Sequence, residues 1–103
     1  MFLCLIYNIT KEIINNIPNT ITIKSAVSAG LEPMVFMHYP PIFASNFNYD
    51  ILEILYRYNI KDCYYGHIHG HSAHGLCVTN TYDDINFHLI SGDYLHFIPE
   101  KVL

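Results

Sequence analysis

Gly66-His67-Ile68-His69-Gly70-His71 follows directly on the apolar run Cys63-Tyr64-Tyr65. In the same way Met34-Val35-Phe36-Met37 runs into His38-Tyr39-Pro40-Pro41. In each segment a short apolar stretch delivers a histidine and is then broken by glycine or proline. Imidazole is the commonest protein ligand for borderline transition metals, and the end of a buried strand is a rigid place to hold one. Two such ends side by side make a metal site, so His38, His67 and His69 are the candidate ligands. His71, His74, His88 and His96 read as ordinary hydrogen-bonded histidines.

The elements around these residues decide whether they can meet. Met34–Met37 is short and continuously apolar, as expected of a strand covered on both faces, and Pro40-Pro41 cannot continue its ladder. Asn48 or Asp50 is placed to cap a helix over Ile51–Tyr58, with Ile51, Leu52, Leu55 and Tyr58 on one face. Ile60–Tyr65 is a second short strand, ended by Gly66. A strand–helix–strand unit with short links makes its strands parallel and usually adjacent. His38 and His67 then leave the sheet at the same edge, the carboxyl edge where open α/β sheets bind ligands. His69, two residues past His67, is free to turn toward the same point.

Elsewhere the signals are weaker. The apolar start reads as a strand, and Thr10 caps a possible helix over Lys11–Ile14 that stops near Pro18. Thr20–Ala29 fits a weak helix with Gly30 as its stop. Leu76–Thr79 and Ile85–Ile90 read as a β-hairpin turning around Tyr82-Asp83-Asp84, and the alternation in Asp93–Phe97 predicts a last strand before Pro99. The expected class is α/β, a βαβ unit followed by a β-hairpin.

A chain of 103 residues is one domain or part of one. Half of it is apolar and only 14% is charged, which excludes a disordered polypeptide. The net charge of −4, with no cluster of Lys and Arg, argues against a nucleic-acid partner. Cys4, Cys63 and Cys77 form no CxxC pair and fit free thiols in a reducing cytosol. The opening Met1–Ile6 lacks a basic flank and is too short to span a bilayer. The expectation is a soluble cytoplasmic protein with no membrane partner.

His38-Tyr39-Pro40-Pro41 followed by Tyr65-Gly66-His67-Ile68-His69-Gly70 resembles the C-terminal half of the calcineurin-like metallophosphoesterases. Within them it is most similar to a bacterial group of predicted phosphohydrolases. Ser91-Gly92-Asp93-Tyr94-Leu95 and the Phe97-x-Pro99 ending are similar to that group as well. The resemblance covers about residues 20–103 and leaves 1–19 as an atypical N-terminal segment. It implies part of an α/β/β/α sandwich with two divalent metals (Mn, Fe or Zn) at the sheet edge, His38 and His67 on one and His69 on the other. The implied activity is phosphoric-ester hydrolysis by a metal-bridging hydroxide.

Such a site also needs carboxylates, which the family takes from upstream Asp-x-His and Gly-Asp motifs, with a Gly-Asn-His motif supplying the catalytic histidine. Residues 1–37 hold no Asp and no His, only Glu12 and Glu32 as acids. Asp50 and Asp93 lie downstream, at no spacing that makes either a bridging ligand. No catalytic residue is therefore assigned, and the chain alone is expected to bind metal weakly and hydrolyse little. Its sheet is expected to expose an edge and an apolar face, where a second chain supplying the missing half would pack. Three other readings stand beside this one, and the first, an inactive remnant of a metallophosphoesterase, is compatible with every feature above. His67-x-His69-x-His71 on a strand would make a histidine-triad nucleotide hydrolase, although Gly66 and Gly70 suit a loop better. Cys63, His67, His71, His74 and Cys77 would make a non-catalytic zinc module, although their spacing matches no standard finger.

Overall fold

The computed structural model describes residues 2–7 and 17–102, with side chains from Ile23 onward. In chain order these residues form β1 (Phe2–Tyr7), α1 (Ile17–Ser28), β2 (Glu32–Met37), β3 (Ile42–Phe43), β4 (Asn46–Phe47) and α2 (Tyr49–Arg57). They continue with β5 (Asp62–Tyr65), α3 (His71–His74), β6 (Thr81–Tyr82) and β7 (Ile85–Leu89). Five strands make one mixed sheet in the order β1-β2-β5-β7-β6. Its first four members are parallel neighbours, and β6 joins β7 antiparallel. The class is α/β, and the βαβ unit (β2-α2-β5) and the hairpin (β6-β7) are both present.

Local chemistry sets the helix ends. Asn48 caps α2, its Oδ1 accepting from the Ile51 N–H at 3.2 Å. At the other end Asn59 takes φ +52°, Asn59 N–H donates to Tyr56 and Ile60 N–H reaches back to Leu55 at 3.0 Å. That pair of bonds is the Schellman stop, here with Asn in the left-handed position. α1 stops in the same way at Gly30, where φ is +76° and Leu31 N–H bonds the Ala26 carbonyl. It begins earlier than the Thr20 expected from the sequence. Pro18 lies inside its first turn, where a missing N–H costs nothing. The helix expected over Lys11–Ile14 lies outside the described residues.

One side of the sheet holds the core. Val35 and Met37 of β2, Cys63 and Tyr65 of β5, and Ile85, Phe87 and Leu89 of β7 pack with Ile23 of α1 and Ile51, Leu52 and Leu55 of α2. By the two-residue period of strands, Phe36, Tyr64 and His88 point to the other face. They stack across three strands, Phe36 on Tyr64 at 4.7 Å and Tyr64 on His88 at 4.4 Å.

The sequence misplaces three segments. Leu76–Thr79 is a loop that meets β3 through an isolated bridge from Cys77 to Phe43, and the hairpin's first arm is the shorter β6. The reason is a side chain: the buried Tyr65 hydroxyl donates to the Val78 carbonyl at 2.6 Å, a carbonyl that a paired strand would have engaged. The hairpin turn is Asp83-Asp84, both at positive φ (46° and 63°), the two-residue form that matches strand twist. Asp93–Phe97 is a series of turns rather than a strand. Leu95 N–H returns to Ser91 and Phe97 N–H to Gly92, while His96 and Phe97 take φ of 54° and 58°, so the backbone bonds locally. Pro41–Phe47, not predicted as ordered, contains the small ribbon of β3 and β4.

Candidate metal centre

Parallel pairing does what the sequence demands of it. β2 and β5 run side by side with Met37 opposite Tyr65, so the next residues leave the same edge together. Gly66 N–H extends the ladder by one bond, donating to the His38 carbonyl at 3.1 Å. The rings meet just beyond: His38 Nε2 lies 3.0 Å from His67 Nδ1. Tyr39 packs edge-on against both, 4.7 Å from the His38 ring and 4.4 Å from that of His67.

His67 is held in a strained conformation. Its φ is +69°, and across it the Ile68 N–H donates to the Gly66 carbonyl at 2.8 Å. A bond from residue i+2 back to i around a positive-φ residue is the rarer, strained form of γ-turn. Such a conformation costs on the order of 1–3 kcal/mol and persists only where the surroundings enforce it. Here the enforcement is visible on both sides. Tyr65 is fully buried before the turn, and Ile68 packs on the core after it.

His69 does not join the pair. Its Nδ1 lies 3.0 Å from Asp93 Oδ1, while the other Asp93 oxygen accepts the Gly70 N–H at 2.8 Å. His74 Nε2 approaches the same Oδ1 at 3.3 Å. Asp93 thus ties the His69-Gly70 loop to the turns after β7. The Gly70 N–H first, and then His69, His74 and the Tyr94 N–H, hold its carboxyl well below the usual carboxylate range, against a smaller opposing effect of burial. The sequence sets Asp93 aside on spacing and places His74 only among ordinary histidines or zinc-module ligands, yet both stand at this edge. The available clue was β7: as a parallel neighbour of β5, it must release Ser91–Asp93 at the same edge as His67–Gly70. Reading 85–90 only as a hairpin arm concealed that.

The remaining candidates separate cleanly. His88 Nε2 bonds Asp62 at 2.9 Å on the sheet face, away from the edge. Asp50 sits in the first turn of α2. Cys63 is fully buried with its Sγ 3.6 Å from Met37 Sδ, and burial pushes its thiol far up, so it is a core residue and no ligand. Cys77 turns its Sγ to the Ala73 carbonyl. Residues 66–69 carry no strand, unlike the histidine-triad reading. Two open grooves accompany the fold. One of about 530 Å³ is lined by Pro40, Pro41, Phe43, Phe47 and Tyr49, adjoining His38 along the chain. The other, about 660 Å³, lies at the far end between Tyr56 and the Asp83-Asp84 turn.

The geometry of the pair can be compared with that of a metal site. Two metal–nitrogen bonds of about 2.0–2.1 Å, at angles of about 90–110°, set their nitrogens about 2.9–3.4 Å apart. The 3.0 Å between His38 and His67 falls in that range, and in the metal-free chain it is the length of the hydrogen bond that joins the two rings. Among the described residues no group of three His, Cys, Asp or Glu side chains is arranged to hold a metal ion. The pair therefore has the spacing of two ligands and no third side chain beside it among the described residues. No family model, curated protein or solved structure matches the chain. No helix among the described residues is long and apolar enough to cross a membrane.

Proposed function

We propose that the chain carries the histidine side of a divalent-metal centre for phosphoric-ester hydrolysis, of the calcineurin-like metallophosphoesterase type. The observation that carries this reading is the 3.0 Å contact between His38 and His67 at the ends of adjacent parallel strands. His38 and His67 hold one ion, and His69 faces a second. Such ions, when bound, supply a clamp for the phosphate and an activated water. The chain's own part is to fix two imidazoles on a rigid edge, with Tyr39 packed against both.

Two imidazoles neutralise no charge on a dication, so the complete centre requires carboxylates. Asp93 is engaged by His69 and Gly70. We place the missing ligands on a partner segment or chain, and expect weak metal binding and little turnover without it. Calorimetry with Mn²⁺ or Co²⁺ tests the reading. One weakly bound equivalent that is lost in His67→Ala is expected. A metal affinity unchanged in both His38→Ala and His67→Ala would sink it. An aryl phosphate assay with Mn²⁺ tests the second half. Robust turnover abolished by His67→Ala would show that the chain needs no partner.

A further inference from the structure

His69 is the one candidate ligand that the sheet edge does not deliver to the pair, and its neighbours say why it stands where it does. A histidine that binds a metal through one ring nitrogen commonly presents the other N–H to a carboxylate, which sets the tautomer and aims the ring. Asp93 Oδ1 stands 3.0 Å from His69 Nδ1, and the ring is two-thirds exposed on its remaining sides.

The carboxylate is itself built in. Its second oxygen takes the Gly70 N–H at 2.8 Å and Oδ1 also takes the Tyr94 N–H at 2.9 Å, while the buried His74 Nε2 stands 3.3 Å from Oδ1 without a hydrogen bond to it. The His74 ring is 13% exposed and packs edge-on against Tyr94 at 5.2 Å. Gly70 can point its N–H at Asp93 because it takes φ +92°, a conformation that side chains rarely tolerate. Two loops from two parallel strand ends are thus locked together through one carboxylate.

We propose that Asp93, braced by the Gly70 and Tyr94 N–H groups, is a positioning residue that keeps His69 as its Nδ1–H tautomer and so makes Nε2 the ligating atom. This rests on the metal-centre reading for the ligand role of His69, and on geometry alone for the tautomer. An ionised carboxylate accepts and cannot donate, so an imidazole nitrogen bonded to it must carry the proton. The opposite nitrogen is then left with its lone pair.

Long-range ¹H–¹⁵N spectra of the full chain, metal-free and above the imidazole titration range, decide the matter. The wild-type protein should show His69 protonated at Nδ1. Asp93→Ala should return His69 to the Nε2–H form. An Nε2–H tautomer at His69 in the wild-type chain overturns the proposal without any variant having to fold. So does an Asp93→Ala protein in which His69 keeps the Nδ1–H form. If the wild-type chain shows the Nδ1–H form but Mn²⁺ moves no resonance of His38 or His67, the metal-centre reading falls and the orientation of His69 stands.

Discussion

Two histidine–aspartate pairs of almost equal length sit in this small chain, His69–Asp93 at 3.0 Å and His88–Asp62 at 2.9 Å. On the sheet face, His88 lies flat on Tyr64, 14° from parallel, and offers Nε2 to an aspartate on the neighbouring strand. Its surroundings are side chains of regular strands. At the edge, His69 offers Nδ1 to an aspartate that also takes two backbone N–H groups. Its surroundings are loops with unusual backbone, and its ring is 66% exposed against 33% for His88. The same contact therefore fastens a surface in one place and aims a ring in the other. The hydrogen bond itself does not distinguish them; the support behind it does.

Tyr65 is common to both pairs, next to Tyr64 on one side and to Gly66-His67 on the other. It is fully buried, and its hydroxyl bonds Val78. Tyr65→Ala should cost about 3–5 kcal/mol, as for other buried aromatic truncations, and disturb both pairs together. A denaturant melt measures this. A loss under about 1 kcal/mol would mean that the two regions do not share one core.

Gly70→Ala should separate the pairs. An added Cβ meets nothing within 4 Å, so the cost is that of the φ +92° backbone alone. With ψ at 140° the residue lies in a region that is essentially glycine-only, where a side chain costs about 1–3 kcal/mol. The His69 resonances should move and those of His88 should not. Equal movement at both rings would remove the distinction drawn between them.

Asp62→Ala makes the reverse cut. The pair is half-exposed and its loss should cost only about 0.5–1 kcal/mol. His88 changes its environment while metal affinity at the edge stays at the wild-type value. A drop in affinity comparable to that of His67→Ala would show that the face and the edge are coupled.

The sequence reveals these two regions unequally, for a physical reason. β2, α2 and β5 carry their own signals in apolar runs, a capping Asn48 and terminating Pro40 and Gly66. Parallel pairing follows from the short links, and with it the meeting of His38 and His67. Asp93 depends instead on a non-local fact, that β7 lies parallel beside β5. No pattern inside residues 85–97 states that. The alternation of Asp93–Phe97 even points to a strand, and only Gly92 hints at the turns that replace it. Left-handed backbone is held at His67 by the packing of its neighbours and at the exposed His96 and Phe97 by local hydrogen bonds, so residue type gives no warning of it.

Acid should sharpen the comparison last and most gently. Asp93 has its carboxyl held below the usual range, above all by the Gly70 N–H. A carboxylate whose folded pKa is depressed contributes stability that is present above its unfolded value of about 3.9 and is lost as pH falls toward the folded one. The stability difference between the wild-type chain and Asp93→Asn should therefore be constant at neutral pH and narrow below about pH 4. Melts across the acid range follow it directly. A gap that survives unchanged down to about pH 2 would mean that shape, and not charge, is what Asn fails to reproduce, since by then the unfolded carboxyl is protonated and the contribution of the charge should have shrunk.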